Sequence, residues 1–136
     1  MGISVNGINH VAMSVADLEE SIEWYKKVFG FSLVKRSEIP GTVTSVAHLQ
    51  APGFQLELFC NRGSEPLPDW RRFPNEDFMH QGNLHASFGV NDAHSLKDRL
   101  DEMGVNIAFV AEVDGTYAVF INDNTGNLIE LFEEGR

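Results

Sequence analysis

Two stretches of this chain repeat one pattern. Gly53-Phe54-Gln55-Leu56-Glu57-Leu58-Phe59 and Gly126-Asn127-Leu128-Ile129-Glu130-Leu131-Phe132 share Gly-x-x-x-Glu-Leu-Phe, and a chain that writes one strand twice must fold as two similar modules. Other landmarks keep the same offset. His10 precedes His85 by 75 positions, Gly30 precedes Gly104 by 74, and Glu57 precedes Glu130 by 73. A drift of two positions over start, middle and end is too small for chance similarity.

In the first copy, alternation from Ile8 to Val15 predicts a strand with Val11, Met13 and Val15 on one face and His10, Ala12 and Ser14 on the other. Asp17 caps a helix from Leu18 to about Val28, whose apolar stripe is Leu18, Ile22, Tyr25 and Phe29; Gly30 ends it. Strands follow at Phe31 to Arg36, at Val43 to Leu49 and at the Glu57 stretch, separated by Pro40-Gly41 and Pro52-Gly53 turns. The second copy replays this order. Asp92 opens a helix striped by Ala93, Leu96, Leu100 and Met103, then come strands at Val105 to Val110, Tyr117 to Ile121 and the Glu130 stretch. The expected fold is α+β: two tandem βαβββ modules, about 8–60 and 83–133, in a single domain spanning 1–136 and forming a curved, incomplete-barrel sheet around a cleft.

Residues 61–82 join the copies. Pro66, Pro68 and Pro74 oppose a regular strand or a long helix, yet Trp70, Phe73, Phe78 and Met79 make the segment too aromatic for a mere spacer. We read it as wrapped along the surface with its aromatics against the flank of the core. A lid over a pocket and an arm reaching a partner subunit stay open as alternatives.

Apolar strand faces must cover the helices, which leaves the opposite faces as concave linings. Those linings hold His10, Ala12 and Ser14, then His85, Ser87 and Gly89, with Glu57 and Glu130 from the two final strands. A lone strand histidine is usually a satisfied core or rim residue, and a lone strand glutamate is usually solvated. Two imidazoles and two carboxylates at repeated positions are different: they suit a divalent first-row ion, with room left for substrate oxygens, and the absence of thiolates disfavours a closed structural zinc site. His48, His80 and His94 lack this support and are set aside as ligands. Cys60, the one cysteine, has no partner marking it as a nucleophile and fits a reducing compartment. Ten basic against twenty acidic residues argue against nucleic acid as a partner, and no apolar run is long enough for a membrane span. The expected location is the cytoplasm, since Met1 to Asn9 lacks a basic start and a useful apolar run.

These residues resemble the vicinal oxygen chelate superfamily, which includes glyoxalase I, extradiol dioxygenases and bleomycin resistance proteins. The resemblance rests on Asn9-His10-Val11 with Asp17-Leu18, on Leu84-His85-Ala86, and on Asp123-Asn124-Thr125-Gly126-Asn127-Leu128-Ile129-Glu130-Leu131. That last run is similar to the family's Asp-Pro-x-Gly-Asn-x-x-Glu signature, with Asn124 where proline is common. The resemblance implies a metal site of His10, Glu57, His85 and Glu130 holding one divalent ion (Zn, Ni, Co, Mn or Fe). It also implies a small-molecule substrate with adjacent oxygens, Glu130 as leading base with Glu57 second, and a homodimer. For substrate contacts it implies Asn61, which coincides with a glutathione-holding asparagine, and Ser14, which stands where those enzymes carry an arginine; Phe59 and Phe132 are expected beside them. The function expected is a metal-dependent lyase or isomerase. The alternatives are a non-catalytic, resistance-like binding protein that sequesters an aromatic ligand, and an iron-dependent extradiol-type dioxygenase using His10, His85 and Glu130.

Overall fold

The computed structural model describes residues 1–134. The chain divides into two compact units, the first covering Met1–Ser64 and the second beginning at Glu65, so the boundary falls inside the expected linker and most of that segment belongs to the second unit.

The first unit runs β1 (His10–Ser14), α1 (Leu18–Phe29), β2 (Ser32–Glu38), β3 (Thr44–Ala51) and β4 (Phe54–Asn61). Its sheet has the order β1-β4-β3-β2, with β1 parallel to β4 and the other pairs antiparallel. Asp17 accepts from the Glu20 amide at 3.0 Å and caps α1, while Gly30 ends it at φ 71°, a left-handed conformation that suits a residue without Cβ. α1 packs on β3 and β4. Its stripe buries Ile22 and Tyr25, and Tyr25 stacks on Phe31 with ring centroids 6.3 Å apart. Each such side chain contributes about 1.5–3 kcal/mol by leaving water.

The second unit repeats the order with β5 (Ala86–Val90), α3 (Leu96–Glu102), β6 (Ile107–Val113), β7 (Thr116–Asn122) and β8 (Leu128–Glu133). Its sheet order, β5-β8-β7-β6, is the same pattern, with β5 parallel to β8. Ahead of β5 the linker residues form a 3-10 turn at Asp69–Arg72 and a single-turn helix α2 at Pro74–Asp77, with proline at the first helical position. The fold is therefore α+β with two modules and no closed barrel.

One element is shorter than the sequence pattern suggests. α3 starts at Leu96, not beside Asp92, because side chains satisfy the backbone just before it. Asp92 Oδ1 accepts from Ser95 N at 3.3 Å, Ser95 Oγ donates to Asp92 O at 3.1 Å, and Glu133 Oε2 accepts from Ala93 N at 3.2 Å. Such local bonds compete with helical ones and delay the first turn. The face assignments hold. Met13 and Val15 are buried while His10, Ala12 and Ser14 are exposed, and Ser87 and Gly89 are exposed between half-buried Ala86, Phe88 and Val90.

Candidate metal-ligating pairs

In the first unit, parallel pairing sets Ala12 opposite Glu57, so Glu57 shares a sheet face with His10 and Ser14. His10 Nδ1 lies 3.4 Å from Glu57 Oε2 and 2.8 Å from Asn9 Oδ1. Either ring nitrogen of His10 can carry the proton, and the unprotonated one is left for a cation. Across the hairpin, His48 pairs with Glu57 and brings its Nδ1 to 3.7 Å from the same Oε2, while Ser37 Oγ holds His48 Nε2 at 2.9 Å. Glu57 thus faces two imidazoles, one of which sequence reasoning had set aside.

The second unit builds the matching pair. Ser87 stands opposite Glu130 in the parallel ladder, and Phe120 stands opposite it in the antiparallel one. His85 Nε2 lies 3.7 Å from Glu130 Oε1, and both side chains are largely covered, at 21% and 15% exposure. The Phe120 and His85 rings stand at right angles with centroids 5.1 Å apart. His85 Nδ1 is buried with no hydrogen-bond partner among the described residues. Separations of 3.4 and 3.7 Å are long for hydrogen bonds. They are close to the roughly 3.0–3.5 Å between two donors that each sit about 2.0–2.2 Å from one ion. Neutral imidazole with carboxylate is also the donor chemistry of a divalent first-row metal.

The other expected contact residues are engaged differently. Asn61 donates from Nδ2 to Thr44 Oγ1 at 2.8 Å and accepts at Oδ1 from Gly63 N at 2.8 Å, so its amide organises the turn after β4. Ser14 is exposed at the end of β1 opposite half-buried Phe59, and half-buried Phe132 stands opposite Gly89 and Ala118. Trp70 stacks on His80 at 3.7 Å. Asp92, His94 and Glu133 also bring ligand atoms within 4.8 Å of one another, but the two carboxylates already serve the entry to α3 and His94 is held at Glu133 and against Tyr117.

A cavity of about 200 Å³ opens beside His85 and Glu130. Phe109, Ala111 and Phe120 line it from β6 and β7, and Pro74, Asp77 and Phe78 line it from α2 and the residue after it. The sequence marked these linker residues only by their aromatic content.

The family model for the glyoxalase/bleomycin resistance protein/dioxygenase superfamily matches residues 7–131. The chain belongs to this superfamily. Among curated members, the probable lactoylglutathione lyase of Vibrio cholerae is 29% identical over 140 aligned residues, covering 96% of this chain and 93% of that protein. The putative ring-cleaving dioxygenase MhqA of Bacillus subtilis is 28% identical over 98% of this chain, which spans only 43% of its length. Among solved superfamily structures, the glyoxylase/bleomycin resistance protein/dioxygenase domain from Frankia sp. EAN1pec superposes with a TM-score of 0.76 at 25% identity, covering 98% of this chain and all of that one.

Proposed function

We propose that this chain is a metal-dependent lyase or isomerase that binds two adjacent oxygens of a small-molecule substrate and removes a proton next to a carbonyl. The observation that carries the reading is the repeated pair: each unit brings one histidine and one glutamate together on one sheet face, at 3.4 and 3.7 Å. In this reading His10, Glu57, His85 and Glu130 hold one divalent ion, which supplies electrostatic stabilisation for the negative charge that develops on the substrate. Glu130 takes the proton, with Glu57 the second carboxylate able to do so. Phe120 packs against His85 at right angles, with ring centroids 5.1 Å apart. The superfamily's lactoylglutathione lyases support the chemistry. Two features argue for a substrate other than glutathione: Ser14 offers no cation, and the Asn61 amide is committed to Thr44 and Gly63. We further propose a cytoplasmic homodimer.

Elemental analysis of protein purified without added metal is the direct test, and one equivalent of a divalent ion per chain is expected. His85→Ala and Glu57→Gln should each lower that content well below one equivalent while the far-UV circular dichroism stays that of the wild type. Metal-free protein with full turnover sinks the reading. Similarity to the Bacillus subtilis dioxygenase favours a second reading, an iron-dependent ring cleavage through His10, His85 and Glu130. Oxygen uptake with catechol separates the two, since proton abstraction consumes none.

A further inference from the structure

The two units differ around their glutamates. In the first, the residue opposite Glu57 across the antiparallel ladder is His48; in the second, the residue opposite Glu130 is Phe120. Directly opposed residues share a sheet face, so the repeat sets an imidazole beside one carboxylate and a phenyl ring beside the other. The imidazole is also tethered. His48 Nε2 lies 2.9 Å from Oγ of Ser37 on β2, where Ser37 pairs with Val46, two positions before His48 on β3. Both His48 and Glu57 are largely covered, at 13% and 15% side-chain exposure.

A hydroxyl donates and accepts, so Ser37 satisfies Nε2 in either tautomer of His48. Only one tautomer serves Glu57. With the proton on Nδ1 the imidazole turns an N–H towards Glu57 Oε2, 3.7 Å away, whereas a lone pair there would repel an ionised carboxylate. At 3.7 Å the contact is longer than a formed hydrogen bond, and contacts of this kind often tighten only when a site is engaged. A carboxylate oxygen accepts from two directions, so an N–H and a cation can share Oε2.

We propose that His48 is a positioning residue for Glu57: the Ser37 hydroxyl donates to Nε2, the proton sits on Nδ1, and that N–H holds the carboxylate on the face it shares with His10. The inference rests on the reading of His10, Glu57, His85 and Glu130 as a metal site, and it divides the labour of the two glutamates. Glu57, held by a polar partner across the ladder, is the fixed ligand. Glu130 faces Phe120, which offers it no donor, and is the carboxylate free to take the proton.

The test is the affinity of the chelator-treated full chain for Co²⁺, read by calorimetry. His48→Ala should lower it about 10–100-fold, the usual effect of removing a partner that orients a metal ligand. His48→Asn, whose amide N–H starts from the place of Nδ1, should recover most of the loss, while His48→Phe, which copies the second unit and keeps a ring, should bind as weakly as alanine. Ser37→Ala should weaken binding less and add nothing further in a His48→Ala background, because it acts through His48. Long-range ¹H–¹⁵N correlation spectra of the metal-free wild type should place the His48 proton on Nδ1. Unchanged affinity in His48→Ala, recovery by phenylalanine instead of asparagine, or a His48 proton on Nε2 overturns the inference. If His48→Ala fails to fold, the contrast between His48→Asn and His48→Phe decides. A wild type that takes up no Co²⁺ removes the metal reading and this inference with it, whereas full wild-type binding with His48→Ala unaffected removes this inference alone.

Discussion

Glu130→Gln should lower kcat by roughly 10²–10⁴-fold, the usual contribution of a positioned general base, while the thermal transition stays near that of the wild type. The substitution keeps the shape of a side chain that is 15% exposed and lies 3.7 Å from His85 Nε2, too far for a hydrogen bond to be lost. Its neighbours across the sheet, Ser87 and Phe120, need no charge to pack against. The informative measurement is metal content taken together with kinetics. Metal retained, KM unchanged and kcat reduced mark Glu130 as the base; metal and turnover lost in parallel mark it as a ligand whose loss empties the site. Full turnover with metal bound rejects both roles. Glu57→Gln removes the same charge from a different setting, between the imidazoles of His10 and His48, and its larger effect is expected on metal content.

Why the pairs were legible in the sequence follows from strand geometry. Side chains alternate with period two, so placing Val11 and Met13 against a helix necessarily placed His10 on the other face, and the copy at His85 followed from the repeat. The histidine beside Glu57 was legible too, though less directly. Pro52-Gly53 closes the hairpin with Ala51 opposite Phe54, and counting three pairs back from that turn sets His48 opposite Glu57. The same count is not available in the second unit, where a longer loop joins β7 to β8 and it is Phe120 that meets Glu130. That difference makes one pair polar on its flank and the other apolar. The cavity wall was out of reach for another reason: residues 65–84 carry no period, and the placement of Asp77 and Phe78 depends on Arg71 bridging to the Asn83 and Leu84 carbonyls. The shortened α3 was missed because the Glu133 carboxylate that occupies the Ala93 amide comes from 40 positions away in the chain.

Asp123→Ala should destabilise the chain by about 3–5 kcal/mol in a denaturant titration, because one carboxylate organises the whole connection from β7 to β8. Asp123 is 5% exposed, and its Oδ1 accepts from the amides of Thr125, Gly126 and Asn127, each at 2.9 Å. Its Oδ2 accepts from Asn127 Nδ2 at 3.0 Å. Alanine keeps the 3.0 Å bond from the Gly126 amide to the backbone carbonyl at 123 but takes the carboxylate from the Thr125 and Asn127 amides, in a loop where Gly126 is buried under the Arg72 guanidinium and takes a φ of 113° that few other residues adopt. Asn122 holds the same loop from the strand side, donating to the carbonyls of Arg72 and Gly126 at 3.0 and 3.2 Å. Asp123→Asn keeps an acceptor oxygen in place and should cost only about 1–2 kcal/mol, the difference between a charged and a neutral acceptor. The loop enters β8 just ahead of Glu130, so any slip in its register moves that carboxylate off the face it shares with Ser87. Turnover of Asp123→Ala should therefore fall even at temperatures where the variant stays folded, whereas Asp123→Asn should retain it. An Asp123→Ala variant within about 1 kcal/mol of the wild type means that other acceptors satisfy the Thr125 and Asn127 amides, and rejects the carboxylate as what holds this loop.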